Sequence, residues 1–176
     1  MALKVFSIPA LPRVDNAAAR LLPAATTVLA ALLSILPVHI PGYASLTPAF
    51  TLMAVYHWTI YRPDFLPPVA LFAIGGLQDL LAGAPLGVSA LLLLLSRAAV
   101  IGYRRYFINR TFPFVWLGFT LLTGVALLAL WALHCLLDST VLDIRGTVFR
   151  AVLTIALFPL ASLLLGRAQR ALIGAG

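Results

Sequence analysis

The residues Trp58-Thr59-Ile60-Tyr61-Arg62-Pro63-Asp64, an apolar run, and then Gly75-Gly76-Leu77-Gln78-Asp79-Leu80-Leu81-Ala82-Gly83-Ala84-Pro85-Leu86-Gly87 decide the fold of this chain. Arg62-Pro63-Asp64 is a short polar turn between two greasy segments. Asp79 is a carboxylate inside a segment that otherwise suits lipid, where an ionisable group is costly and has a structural partner or a function. Gly83 to Gly87, with Pro85 between them, is a tight fold-back that makes a helical hairpin of the segments on either side.

The rest of the sequence has the same character. Of its 176 residues, 62% are hydrophobic and 10% charged, and the mean hydropathy is +1.07. A soluble domain is about a quarter charged, so this chain lacks the polar residues to cover a water-facing surface. Glutamate is absent; the acids are Asp15, Asp64, Asp79, Asp138 and Asp143. The net charge of +7 is not gathered into a patch with interleaved aromatics, so nucleic acid is not an expected partner. One cysteine, Cys135, excludes an intrachain disulfide and a multi-cysteine metal site.

Six apolar segments can be read: Leu21 to Ile40, Thr47 to Tyr61, Phe65 to Ala82, Pro85 to Tyr103, Phe112 to Leu137 and Thr147 to Leu165. A spanning helix takes about 20 residues; the second segment is short, starting earlier, tilted or bent. Pro63, Pro67, Pro68, Pro85 and Pro113 fall near helix starts, whereas Pro37 and Pro159 lie inside segments and predict kinks. No long strand alternation occurs, which speaks against a β-barrel. The expected fold is an all-α polytopic membrane protein with about six transmembrane helices. A cytoplasmic segment 1–20 precedes a membrane domain 21–166, and a cytoplasmic tail 167–176 follows it. The first segment is longer than a signal-peptide core and is read as a retained helix.

Basic residues orient the chain. With the N-terminus inside, Lys4, Arg13, Arg20, Arg62, Arg104, Arg105, Arg110, Arg167 and Arg170 are cytoplasmic, and only Arg145 and Arg150 lie outside. Both termini are therefore expected in the cytoplasm. The Arg104 to Arg110 loop is read first as a topology anchor that meets anionic membrane lipids, with a docking site as the alternative.

Asp79 and Arg97 are the charges inside segments. From the fold-back near Ala84, Asp79 is about 8 Å deep and Arg97 about 20 Å deep at 1.5 Å per residue. That offset exceeds an arginine's reach, so Arg97 snorkels toward the cytoplasm. Ser89 lies level with Asp79. The carboxylate is expected to accept hydrogen bonds from Ser89, Gln78 or backbone N–H groups near Gly83 and Gly87; partner contact and ion or proton transfer stay open. His39, His57 and His134 are read as interfacial or packing residues. Ala24, Thr27, Ala31 and Ser34 form a small face on the first helix, read as internal packing, and Thr120 with Gly124 forms a notch on the fifth, open to internal packing or to another protein's helix. No catalytic set emerges: there is no glutamate pair, Gly-x-Ser-x-Gly or phosphate-cradling loop. An enzyme is not expected, nor a cofactor.

The stretch quoted above resembles the rod shape-determining protein MreD family, whose members carry an aromatic-x-x-x-Arg-Pro-Asp-like run followed by a hairpin with Asp-Leu-x-x-Gly-x-x-x-Gly. The resemblance marks Arg62, Pro63, Asp64, Asp79, Gly83 and Gly87 as motif positions. It implies a non-enzymatic component of the bacterial inner membrane in the elongation machinery, alongside MreC, MreB, RodA and a transpeptidase, supporting side-wall peptidoglycan synthesis. It also implies a fold like the substrate-binding subunits of energy-coupling-factor vitamin transporters. That kinship supplies the alternative, a small-molecule-binding transport subunit.

Overall fold

The computed structural model describes residues 17–35, 47–83, 85–107, 111–138 and 144–173. Among them the chain is all helical, without strands: α1 (Ala17–Ile35), α2 (Phe50–Tyr61), α3 (Pro68–Ala82), α4 (Val88–Phe107), α5 (Phe112–Asp138) and α6 (Ile144–Ile173), with a 3-10 turn at Pro63–Phe65 between α2 and α3. Each expected apolar segment holds one helix. The prolines explain several starts: Pro63 opens the 3-10 turn, Pro67 and Pro68 open α3, and Pro113 is the second residue of α5, where a missing N–H costs nothing. Pro159 lies inside α6, and Pro37 lies outside the described residues. The last helix runs past the expected Leu165 to Ile173, carrying Arg167 on its final turns.

The shortest helix is the centre. At 12 residues, α2 is about 18 Å long, and it packs on α1, α4 and α6. Every residue from Thr51 to Ile60 is buried. A helix that is apolar all round belongs in a core. The two core clusters divide along it: Met53, Tyr56 and Ile60 meet Val115, Phe119 and Phe158 of α5 and α6, while Val55 and Trp58 meet Leu66, Leu71 and Leu93. Phe119 and Phe158 stack at 4.0 Å between centroids, and Tyr56 sits edge-on to both.

Polar pegs fix α2 to its neighbours. Trp58 Nε1 donates to Thr26 Oγ1 on α1 (2.9 Å), and Tyr56 Oη donates to the Val115 carbonyl on α5 (2.8 Å). Thr51 Oγ1 lies 3.2 Å from Ser34 Oγ on α1 and donates to Gln78 Oε1 on α3 (3.1 Å). The Ala49 N–H, just ahead of α2, donates to Thr154 Oγ1 on α6 (3.1 Å). Where apolar side chains gain little by leaving lipid for a neighbouring helix, such bonds and close packing carry the association.

The outside is apolar. On α5, Leu117, Leu121, Val125 and Leu128 form an exposed stripe, and Val69 and Phe72 on α3 and Val152, Leu160 and Leu163 on α6 are exposed as well. Soluble monomers do not expose apolar area on this scale. By length and composition α5 (Phe112–Leu133) and α6 (Ile144–Gln169) can each cross a membrane; the apolar stretches in α1 and α3 are shorter.

Candidate functional site: two turns held from neighbouring helices

Asp79 is fully buried, and its carboxylate faces the start of α4. Oδ2 accepts the Gly87 N–H at 2.8 Å, while Oδ1 and Oδ2 accept the Ser89 N–H at 3.0 and 3.2 Å. These are orphan donors of a helix N-terminus, which have no partner within the helix. A carboxylate there also meets the positive end of the α4 dipole. The carboxylate thus acts as a helix cap delivered from the preceding helix rather than from the adjoining loop. The main chain of the same residue closes the other side of the turn, since the Asp79 carbonyl accepts the Gly83 N–H. Gly83 has φ +65° and Gly87 φ +97°, a left-handed backbone that glycine adopts without Cβ strain.

Gly75 sets how closely the hairpin closes. A Cβ built there would lie 2.4 Å from the Ala90 Cα, so α3 and α4 touch backbone to backbone. The neighbouring Gly76 faces open space. Thus only the first glycine of the Gly-Gly pair is a packing requirement.

The polar turn at the far end of α3 is held from α4 by the opposite charge. Arg97 Nε donates to the Leu66 carbonyl (3.1 Å) and its Nη2 to the Pro63 carbonyl (3.4 Å), and Arg104 Nε donates to the Ile60 carbonyl (2.8 Å). Ile60 belongs to the last turn of α2, whose carbonyls lack intrahelical partners and favour a cation. Arg62 lies over the Phe65 ring at 5.6 Å, and Asp64 is exposed.

These positions bear on the residues singled out in the sequence. Asp79, Gly83, Gly87 and Ser89 come together as one turn; Arg62, Pro63 and Asp64 form the other. Ser89 contributes its backbone N–H rather than its hydroxyl. Gln78 is turned away from Asp79 to Thr51. Arg97 indeed reaches the opposite end from Asp79. On α1, Thr27, Ala31 and Ser34 are buried, as internal packing requires. Thr120 and Gly124 stand apart from both turns: Thr120 Oγ1 bonds only back to the Trp116 carbonyl, and a Cβ at Gly124 would meet nothing. The run Leu91 to Leu95, read as greasy without specificity, is divided, with Leu93 in the core and Leu91 and Leu95 exposed. His57 is buried between Trp58 and Tyr61; His39 lies outside the described residues. No group of three metal-ligating side chains occurs among the described residues.

Sequence reasoning missed three participants. Gly75 was legible only as a small residue. Arg104 read as a loop charge. Arg150, placed among the external basic residues, turns into the bundle, and its Nε is buried without a hydrogen-bond partner. Thr154, one helical turn on, is fully buried, and residues four apart share a helix face, so the packing of α6 brings Arg150 inward with it.

The family model for the rod shape-determining protein MreD matches residues 17–167, which includes both turns, α1 to α5, and α6 as far as Arg167. The chain belongs to the MreD family. It is accordingly a membrane protein of a family concerned with cell shape, and that family is one of shape-determining structural proteins. Comparisons with curated proteins and with solved structures give no match. In this MreD family member the motif residues Asp79, Gly83 and Gly87 are all spent on one helix-to-helix turn.

Proposed function

We propose that this protein is a non-enzymatic, multi-pass scaffold of the inner membrane in the cell-elongation complex, with both termini cytoplasmic. It supports side-wall peptidoglycan synthesis through helix packing with an MreC-like single-span partner, within an assembly that includes MreB, RodA and a transpeptidase. Membership of the MreD family carries this reading. The distribution of basic residues supports the orientation. For the partner contact, the notch at half-buried Gly124, with Thr120 one turn before it, borders the exposed α5 stripe, and small residues there let a second helix approach closely.

The alternative, a transport subunit that encloses a small molecule in an energy-coupling-factor-like fold, calls for a pocket of about 300–1,000 Å³. The cavity lined by Thr51, Gln78, Ser89 and Arg150 is ≈ 30 Å³, too small to be that pocket. Co-purification from solubilised membranes, with partners identified by mass spectrometry, tests the reading. A single-span membrane protein retained at stoichiometric amounts is the expected result. A vitamin-sized ligand and a transporter energising unit in its place would overturn it.

A further inference from the structure

Between α2, α3, α4, α5 and α6, at the end of the bundle that carries the Gly83–Gly87 turn, lies the cavity of ≈ 30 Å³. Its wall is rich in hydrogen-bond donors and holds one cation. Arg150 of α6 lines it, with Nε buried and unpartnered. Gln78 and Ser89 line it too. Gln78 spends its carbonyl oxygen on Thr51, which leaves its amide N–H groups. The Ser89 backbone N–H is committed to Asp79, which leaves its hydroxyl. Leu93 and Leu127 close the floor and are buried. No carboxylate is among the described residues that line it; Asp79, next in sequence to Gln78, is turned to the N–H groups of Gly87 and Ser89.

A guanidinium in such surroundings is costly unless a counter-charge arrives. The donors around it have fork, amide and hydroxyl geometry, which suits an oxyanion better than a spherical halide. The size limits the occupant to about one or two waters or the oxygens of a single head group. We infer that this cavity is a binding site for the anionic oxygens of a phosphate group, with Arg150 as the counter-ion and Gln78 and Ser89 as orienting donors. A membrane phospholipid head group and free inorganic phosphate share this chemistry. For a phospholipid, the body of the ligand stays outside. The site goes beyond the scaffold role and does not depend on it.

The test uses the full chain purified in a maltoside detergent, which carries no phosphate. Thermal unfolding is followed while inorganic phosphate, or phosphatidylglycerol in mixed micelles, is titrated at constant ionic strength against chloride. A saturable upward shift is expected with at least one of the two probes and not with chloride. A response to inorganic phosphate assigns a soluble ligand; a response to phosphatidylglycerol alone assigns a lipid head group. Arg150→Met is expected to weaken binding about tenfold or more, the loss of a charge-assisted pair of bonds. Should that variant not accumulate, Arg150→Lys and Ser89→Ala take its place, the second keeping the N–H that Asp79 accepts. Each is expected to weaken binding several-fold. No shift with either probe, an equal shift with chloride, or wild-type affinity in the substituted proteins overturns the inference.

Discussion

The two turns at opposite ends of α3 solve one problem with opposite charges. At Gly83–Gly87 the groups without helical partners are N–H groups at the start of α4, and a carboxylate on α3 accepts them. At Arg62–Leu66 they are carbonyls, including one from the last turn of α2, and guanidinium groups on α4 donate to them. In both turns a side chain from a neighbouring helix supplies the missing partner, so the sign of its charge follows the polarity of the helix end it serves. The difference lies in redundancy. Among the described residues one side chain, Asp79, accepts every side-chain bond of the first turn, whereas Arg97 and Arg104 divide the carbonyls of the second.

That asymmetry orders the expected effects. Asp79→Leu removes both acceptor oxygens and leaves the Gly87 and Ser89 N–H groups unsatisfied, at a cost of about 1–3 kcal/mol. A clear fall in thermal stability of the purified protein is expected; an unchanged melting curve would break the comparison. Gly75→Val attacks the same hairpin through packing. With the Ala90 backbone 2.4 Å from a Cβ, it must push α3 and α4 apart, and overpacking costs about 1–3 kcal/mol. Gly76→Val, facing open space, is the control and should be close to neutral in the same assay.

At the other turn each arginine is one of two. Arg97→Met or Arg104→Met alone should cost about 0.5–1.5 kcal/mol, less than Asp79→Leu, and the double variant more than either. If one single variant equals the double, the turn depends on one clamp and the contrast in redundancy disappears. A small effect on stability, like that of Gly76→Val, is expected at Gly124→Leu, within about 0.5 kcal/mol, because a Cβ there meets no neighbour within 4 Å. On the scaffold reading the same substitution reduces co-purification of the single-span partner. Unchanged co-purification removes the α5 notch from the interface.

The positions of the helices were legible because long apolar runs broken by proline and glycine leave few alternatives. The Asp79 turn was legible because a lone carboxylate beside two glycines constrains its own partners. The arrangement of the helices was not. In α2, Met53 and Ile60 are buried on one side and Val55 on another, and on α5 Leu121 and Val125 are exposed though equally apolar. When interior and exterior are both greasy, periodicity does not say which face turns inward. Arg150 was hidden for a related reason: near a helix start, an arginine reads as an external anchor, and only the packing of α6 against α2 turns it inward.

The central claim is that Asp79 works as a hydrogen-bond acceptor for the α4 start. Protein abundance and cell shape in cells carrying Asp79→Asn or Asp79→Leu as the only copy test it most directly. Oδ2 alone accepts both N–H groups, at 2.8 and 3.2 Å, so an asparagine oxygen at that position keeps part of the turn and leucine keeps none. Near-normal abundance and rod shape with Asp79→Asn, and reduced abundance with loss of shape for Asp79→Leu, are the predicted outcome. Equal loss of shape in both variants at normal abundance would contradict it, and would mean that the carboxylate's charge, rather than its place in the turn, is what the protein uses.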